Sequence, residues 1–459
     1  MKKLLSVLLC ICMISSLLVG CGSNNEETNG KESGDNSDVE IYFLNFKPEV
    51  EDVYKKIAED YKKETGVTLK VVTAASGKYE ETLRNEINKK QAPTIFQING
   101  PVGYKNWADY CLDLSDSKLY TEYLNDTSLA YSNDDGVFGI PYAVEGYGII
   151  YNQAIMNKYF ALADKAVSIS STEEITSYDL LKQVAEDMQK HKADLGIDGV
   201  FANTSLKSGE AWRWQTHLAN LPMDAEFAES ATEDKNAVAV GLGAETIEFK
   251  YADNYKQLFD LYLNNSTCEP TVLGSKSVND SISEFALGKC AMIQNGNWAW
   301  NQVKEVKGYT VKEEDVKMLP IYCGLKNEAK QGICIGTENY LCVNSQVDEE
   351  LQEASIAFLE WLFNSETGTS YVGSQLGFKA PFKNCKDTAT DPLLKEVSRW
   401  MENKDVTNVP WTFQCFPSEN FKNDFGDSLL QYAQGKEEWN KVVTDVKEFW
   451  KAEYAETNS

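Results

Sequence analysis

The chain has 459 residues and a formal net charge of -26, because 70 Asp and Glu residues outnumber 44 Lys and Arg residues. Such a charge repels the phosphates of nucleic acid, so the composition argues against a nucleic-acid partner. The length is sufficient for two domains of ordinary size, each with its own hydrophobic core.

The amino terminus is typical of an exported protein. Lysines 2 and 3 precede an apolar run, 4–19, that is short for a membrane span, which indicates a secretion signal. The run ends in Leu18-Val19-Gly20-Cys21, which resembles the bacterial lipobox, whose cysteine is lipidated. We predict a lipoprotein signal peptide over 1–21 and a lipid on Cys21 that anchors the chain to the cell membrane. The alternative is a plain signal peptide with an incidental cysteine.

The next segment, 22–38, contains small, polar and charged residues and no large apolar residue. It cannot bury enough surface to fold, so we predict a disordered tether. The folded part is expected to start at Val39. Eight cysteines follow Cys21 without a Cys-x-x-Cys pair, and the sequence leaves open whether they are buried thiols or disulfides.

The first hundred residues of the folded part alternate between apolar runs and helical periodicity. The pattern predicts strands and helices in this order: strand 39–44, a helix from Val50 that Gly66 ends, strand 67–72, helix 79–89 and strand 93–98. This alternation favours an α/β fold with a largely parallel sheet. Ligands of such sheets bind beyond the carboxyl ends of the strands, where Asn45 and Asn99 are expected.

Aromatic residues recur beside amides and carboxylates in four segments: 139–152, 211–217, 298–300 and 411–416. In the third, an apolar strand, Cys290 to Ile293, is followed by a predicted Asn-Gly turn and two tryptophans. An indole next to amides suits a sugar ring, which stacks its C–H face on the indole and bonds its hydroxyls to the amides. The candidate binding residues are Tyr147, Trp212, Trp298, Trp300 and Trp411. The alternative is that these rings belong to the core.

Catalytic and cofactor motifs are absent from the sequence. Only two histidines occur, and there is no His-Glu-x-x-His, no Gly-x-Ser-x-Gly and no phosphate-binding loop. A calcium-like Asn133-x-Asp135-Gly136 has tyrosine at the first and twelfth ligand positions. We therefore predict no catalytic residue, no cofactor and no metal.

Together these segments resemble family 1 of the extracellular solute-binding proteins, the maltose-binding-protein type that serves sugar-importing ABC transporters. The resemblance extends from about Val39 to Trp450. Its most specific parts are Ala143-Val144-Glu145 through Ile150-Tyr151-Asn152, and Ala291-Met292 through Trp298-Ala299-Trp300.

The resemblance implies a two-lobed periplasmic-binding-protein-like fold with the ligand cleft between lobes and a hinge of several chain crossings. Lobe 1 would be 39–144 and 321–384, and lobe 2 would be 145–320 and 385–459. Glu145 would bond sugar hydroxyls next to the first crossing, and Trp298 would be a stacking platform. Trp212 and Trp411 would be further aromatic contacts.

The implied function is that of a lipid-anchored, monomeric receptor that captures an oligosaccharide and delivers it to the permease subunits of an ABC importer. We expect a short α-linked sugar such as a maltooligosaccharide, from the resemblance alone. The first alternative is an exported carbohydrate-active enzyme with the same aromatic groove. The second is a metal-ion receptor of similar fold, which would need convergent oxygen or histidine ligands.

Overall fold

The computed structural model describes residues 39–75, 77–337, 339–386 and 391–458. The predicted signal peptide, the lipidation site Cys21 and the predicted tether lie outside these ranges. Twelve strands occur within them: β1 (Glu40–Asn45), β2 (Thr68–Thr73), β3 (Ile95–Asn99), β4 (Tyr131–Asn133), β5 (Gly136–Pro141), β6 (Glu145–Asn152), β7 (Gly199–Phe201), β8 (Cys290–Gly296), β9 (Val316–Leu319), β10 (Gln331–Gly336), β11 (Asn339–Val343) and β12 (Thr407–Val409).

Sixteen α-helices occur in the same ranges. They are α1 (Glu51–Thr65), α2 (Tyr79–Glu86), α3 (Gly100–Trp107), α4 (Gln153–Phe160), α5 (Tyr178–Lys190), α6 (Lys192–Leu195), α7 (Ala219–Ala228), α8 (Ala237–Leu242), α9 (Ala252–Asn264), α10 (Val278–Ala286), α11 (Ala299–Glu305), α12 (Glu349–Asn364), α13 (Glu366–Tyr371), α14 (Pro392–Glu402), α15 (Glu419–Ala433) and α16 (Trp439–Thr457). None of these helices combines the length and apolar composition that a membrane span requires.

The first sheet has the strand order β2-β1-β3-β11-β5-β4. The strands β2, β1 and β3 are parallel, as the alternation of strands and helices predicts. The strands β11, β5 and β4 continue the sheet in antiparallel pairs. Helix α1 packs against this sheet through buried Tyr54, Ile57 and Tyr61, and it ends where Gly66 adopts a left-handed φ of 80°.

The second sheet has the strand order β12-β10-β6-β8-β7, and β9 also pairs with β6. Its central strand β6 is buried at all eight positions, and it is antiparallel to β8, β9 and β10. A continuous run of buried residues is expected of a strand that is covered on both faces. The carboxyl-terminal helices α15 and α16 pack into the core next to this sheet through Phe425 and Trp450.

The chain passes from the first sheet to the second between Pro141 and Glu145. It returns between Gly336 at the end of β10 and Asn339 at the start of β11. The expected lobe 1 range, 321–384, therefore includes β10, which hydrogen-bonds within the second sheet. In other respects the lobe ranges stay a prediction.

Strand β8 is longer than the sequence pattern indicates. The predicted Asn-Gly turn at 295–296 is wrong, since both residues are paired with β6: Asn295 lies opposite Gly148, and Gly296 lies opposite Tyr147. The strand ends only at Gly296, two residues before Trp298, which precedes helix α11. The difference arises because pairing with a strand that is distant in sequence outweighs the local turn preference of Asn-Gly.

Candidate ligand site between the two sheets

A buried ion pair connects the carboxyl end of β1 to the start of β6. The Nζ of Lys47 lies 2.8 and 3.0 Å from the two carboxylate oxygens of Glu145. The side chains are 6% and 4% exposed. Glu145 is therefore not a solvated turn carboxylate. Both amino acids lie at sheet ends that face one another, and this is the position where we expected a ligand cleft.

An aromatic cluster adjoins the ion pair, and His217 is its centre. The imidazole stacks on Tyr147 with ring centroids 4.1 Å apart and an interplanar angle of 7°. The other rings within 6.1 Å of the imidazole centroid are Trp212, Phe413, Trp298 and Trp411. We call these six residues the aromatic cluster. His217 belongs to a short π-helical segment, Arg213–Leu218, a local geometry that is frequent at functional sites.

Two of the indoles lie on glycines at strand ends. A methyl group on Gly296 would collide with the six-membered ring of Trp298. A methyl group on Gly336 would lie 2.6 Å from Cγ of Trp411. Gly296 and Gly336 are the last residues of β8 and β10, which flank β6. The absence of a side chain at these positions therefore allows two flat apolar rings to cover the end of the second sheet.

Trp212 is partly buried, and a cation covers one of its faces. The guanidinium carbon of Arg213 lies 3.7 Å from the centroid of the Trp212 ring. The ring centroids of Trp212 and Trp298 are 5.8 Å apart, so the arginine belongs to the same site as the indoles. This contact leaves less of Trp212 for sugar stacking than the sequence suggests.

Several buried polar atoms of the site have no hydrogen-bond partner among the described residues. Four of them are donors: Nδ2 of Asn295, Nδ2 of Asn297, Nε1 of Trp298 and Nε1 of Trp411. Two are acceptors, Oε1 of Gln215 and Oε1 of Gln294. Buried donors are nearly always satisfied in native proteins, by the protein, water or a ligand. Their concentration beside the aromatic cluster is the pattern expected of a site that binds a molecule with many hydrogen-bonding groups.

Burial shifts the pKa of several ionisable groups in the site. It raises the pKa of Glu49, and Lys47 opposes that shift. It lowers the pKa of His217 well below the usual value, and the nearby charge of Arg213 acts in the same direction. The imidazole is therefore neutral at neutral pH. Burial also lowers the pKa of Arg213 to about 9, which still leaves the guanidinium charged at neutral pH.

The structure places the two asparagines at strand ends, as expected. Asn45 is fully buried and holds the loop that carries Lys47: its Nδ2 donates to the Lys47 carbonyl at 2.8 Å, and its Oδ1 accepts from the Lys47 amide. Asn99 is half-buried at the end of β3, where helix α3 begins. Its neighbour Gly100 approaches Gln414, which lies three residues after Trp411.

Trp300 is not brought to the aromatic cluster. It lies on helix α11 and packs into a separate core with Ile150, Ile293 and Val397. Trp298 belongs to the larger core that contains the aromatic cluster. Two tryptophans that are separated by one residue therefore occupy different environments, and the adjacent spacing in sequence does not reveal this difference.

Three residues of the site were missed in the sequence: Lys47, Arg213 and His217. Arg213 and His217 lie inside the aromatic segment 211–217, so their position beside Trp212 was a usable signal. Lys47 follows β1 by two residues, which places it at the same sheet edge as Asn45. Its partner Glu145 is 98 residues away, and that pairing has no local signal.

Metal ligands do not converge in this region. In the ranges that the structure describes, no group of three His, Cys, Asp or Glu side chains is arranged to hold a metal ion. The eight cysteines after Cys21 are all free thiols in these ranges, and six of them are buried.

Comparisons with known proteins identify relatives of the whole folded part. The sequence profile of a family described as bacterial extracellular solute-binding protein matches residues 56–402. No curated protein sequence matches the chain. Similar solved structures include a chitin oligosaccharide binding protein, with 19% identity, a TM-score of 0.69, and coverage of 92% of this chain and 100% of that chain.

Two further structures have a similar fold. The solute-binding protein RafE in complex with raffinose has 18% identity and a TM-score of 0.68, with 91% of this chain and 100% of that chain covered. Maltose-bound MalE3 of T. maritima has 15% identity and a TM-score of 0.62, with 90% and 99% covered. At these identities the similarity demonstrates a common fold.

Proposed function

The chain belongs to the bacterial extracellular solute-binding proteins, and from this premise we propose that its solute is an oligosaccharide. The observation that carries the proposal is the aromatic cluster with its unpaired donors. A sugar ring has an apolar C–H face and a rim of hydroxyls, so it needs a flat ring and hydrogen-bonding groups at the same place. Trp298 and Trp411 supply the rings, and the amides of Asn295 and Asn297 supply donors.

The ion pair adds acceptors to the same site. The Glu145 carboxylate offers about four lone-pair positions, and Lys47 uses each oxygen once. Positions therefore remain for sugar hydroxyls, and bonds to an ionised acceptor are stronger than bonds to a neutral one. Lys47 also keeps the carboxylate in a fixed orientation, which lowers the entropy cost of binding.

Ligand entry requires the two sheets to move apart. Trp298 is 9% exposed and Trp411 is 3% exposed, so a sugar ring does not reach either indole in this arrangement. The chain crosses from one sheet to the other at 142–144 and again after Gly336, and a few such residues are enough for a hinge. A sugar that contacts both sheets shifts the population toward the closed form. Solution scattering should then show a smaller radius of gyration with the sugar than without it.

The similar solved structures support an oligosaccharide as the solute by analogy alone. The similar structures are those of a chitin oligosaccharide binding protein, a complex with raffinose and a complex with maltose. Our proposal for this chain is a short oligosaccharide, with α-linked sugars as the first to test. The chain would pass the bound sugar to the permease subunits of an ABC importer.

The test is calorimetric titration of the mature protein with a panel of oligosaccharides, followed by chromatography of each sugar after incubation. We expect at least one saturable binding isotherm and quantitative recovery of every sugar in uncleaved form. Cleavage products would favour the carbohydrate-active enzyme instead. Failure of every oligosaccharide to bind would contradict the proposal.

Attachment to the membrane is a separate part of the proposal. Its support is the sequence Leu18-Val19-Gly20-Cys21 behind an apolar leader and an extracellular family. We expect a lipid on Cys21, a monomeric receptor, and release of the Cys21→Ala variant to the soluble fraction. Mass spectrometry that finds an unmodified amino terminus at another residue would contradict the anchor.

A further inference from the structure

Arg213 is a buried cation without an ion pair among the described residues. Its side chain is 2% exposed, and its one hydrogen bond there extends from Nε to Oδ1 of Asn295, at 3.3 Å. Removing an unpaired charge from water costs several kcal/mol. The guanidinium is nevertheless held in place, because it stacks on Trp212 and its Nε is fixed by Asn295. Such a preorganised charge is stabilised when an anionic group binds to it.

The groups beside Arg213 are also donors, and their orientation is fixed. Oδ1 of Asn295 accepts from Arg213 and from the Gly296 amide, so its Nδ2 remains as a donor. Oδ1 of Asn297 accepts from the Gly146 amide at 2.9 Å, so its Nδ2 also remains. The indole Nε1 of Trp298 is a third donor without a partner in the described chain. One guanidinium and three neutral donors thus belong to Arg213, to Asn295, which it contacts, and to the next residues of the same segment, Asn297 and Trp298.

The carboxylates nearby do not neutralise this arginine by contact. Glu145 is bound by Lys47. Glu49 is the carboxylate with the largest charge effect on Arg213, but it lies beyond the 4.0 Å limit of an ion pair, and burial disfavours its ionised form. A planar guanidinium binds a carboxylate through two parallel hydrogen bonds better than it binds a hydroxyl.

We propose that the oligosaccharide contains an acidic sugar, a uronic acid, and that Arg213 binds its carboxylate while Asn295 and Asn297 donate to oxygens of the same residue. This inference rests on the proposed function and specifies the chemical class of its ligand. The two sources of a carboxylate, an acidic oligosaccharide and a free uronic acid, differ in size, and only the former extends over both Trp298 and Trp411.

The experiment uses pairs of ligands that differ in charge alone. Oligogalacturonides and glucuronate-bearing xylooligosaccharides are titrated beside their carboxyl methyl esters, with the monomeric uronic acids as a third arm. We expect at least one acid to bind about tenfold or more tightly than its ester, since hydrogen bonds between charged groups are stronger than neutral ones. The monomers should bind more weakly than the oligomers.

Variants test whether Arg213 causes the preference for the acid over its ester. Arg213→Gln should reduce the ratio between acid and ester to about one, and Arg213→Lys should keep part of it. Arg399→Gln is the matched control, because Arg399 is half-exposed and paired with Glu396. This variant should keep the full preference for the acid over its ester. Melting temperatures verify that each variant is folded, and Arg213→Lys replaces Arg213→Gln in the comparison if the latter unfolds.

Equal binding of every acid and its ester by the wild-type protein would overturn this inference, as would an unchanged preference in Arg213→Gln. If neutral oligosaccharides bind and acidic ones bind no better, the inference fails and the proposed function stands. If no oligosaccharide of either kind binds, both fail.

Discussion

The two sheets contribute different chemistry to the site. At the end of the first sheet, Asn45 and Gln97 are polar, and their side chains already bond to the backbone around Lys47. At the end of the second sheet, Tyr147, Trp298 and Trp411 present rings. In the proposed site, the second sheet therefore supplies most of the binding surface, whereas the first sheet supplies a charge that fixes the position of Glu145.

The largest expected effect tests the contribution of the first sheet. Lys47→Met leaves Glu145 buried without a partner, and breaking a buried ion pair from one side costs about 3–5 kcal/mol of unfolding free energy. By the same reasoning, Glu145→Gln leaves Lys47 buried without its partner and should lower stability as well as binding. Denaturant titration measures the loss of unfolding free energy in each variant.

Two controls sharpen this prediction. The double variant Lys47→Met with Glu145→Gln should recover much of the lost stability, because no unpaired charge remains. Lys55→Met removes the partner of Asp52 in an exposed ion pair, in which the Lys55 and Asp52 side chains are 60% and 89% exposed, and it should change the stability far less. Equal losses for Lys47→Met and Lys55→Met would show that the buried pair has no special role.

The second prediction concerns the second sheet. Gly296→Ala places a methyl group against the Trp298 ring, and overpacking of this kind costs about 1–3 kcal/mol. The indole must move, so the affinity for the oligosaccharide should fall by about tenfold or more. Gly243→Ala is the control, since its nearest neighbouring atom would be 3.5 Å away. Wild-type affinity in Gly296→Ala would contradict the role of this glycine.

The third prediction concerns pH. The pKa of His217 is lowered by burial, so the unfolded chain takes up a proton before the folded protein does. Its contribution to stability is fully present above the unfolded pKa of about 6.5 and is lost as the pH falls toward the folded pKa, at about 1.4 kcal/mol per pH unit. His217→Phe should remove that part of the slope between pH 6.5 and 5.5. An unchanged slope in His217→Phe would be evidence against the assignment.

Much of the fold was predictable because its signals are local. The two-lobed α/β class is confirmed by the similar structures. The helix that Gly66 ends was predictable from periodicity and one left-handed residue. The extent of β8 and the membership of β10 in the second sheet depend on pairing with β6, which is distant in sequence. A single sequence does not encode that pairing in a readable pattern.

The composition of the candidate site was partly predictable, and its function stays a prediction. Aromatic residues beside amides located Tyr147, Trp298 and Trp411, and the strand pattern located Asn45. The same spacing reasoning selected Trp300, which packs into a different core. Lys47 and Arg213 were missed, because charged residues are expected at the solvent-exposed surface and the sequence does not show that these two are buried.

The most direct measurement compares Trp298→Ala with Trp300→Ala in calorimetric titrations with the oligosaccharide that the wild-type protein binds. Trp298→Ala should lower the affinity about thirtyfold, since loss of a buried indole from a binding site costs about 2 kcal/mol, and the protein should stay folded. Trp300→Ala should lower the unfolding free energy by about 3–5 kcal/mol, while the folded fraction keeps its affinity. Unchanged affinity in Trp298→Ala, or an equal loss of affinity in both variants, would contradict a sugar site between the two sheets.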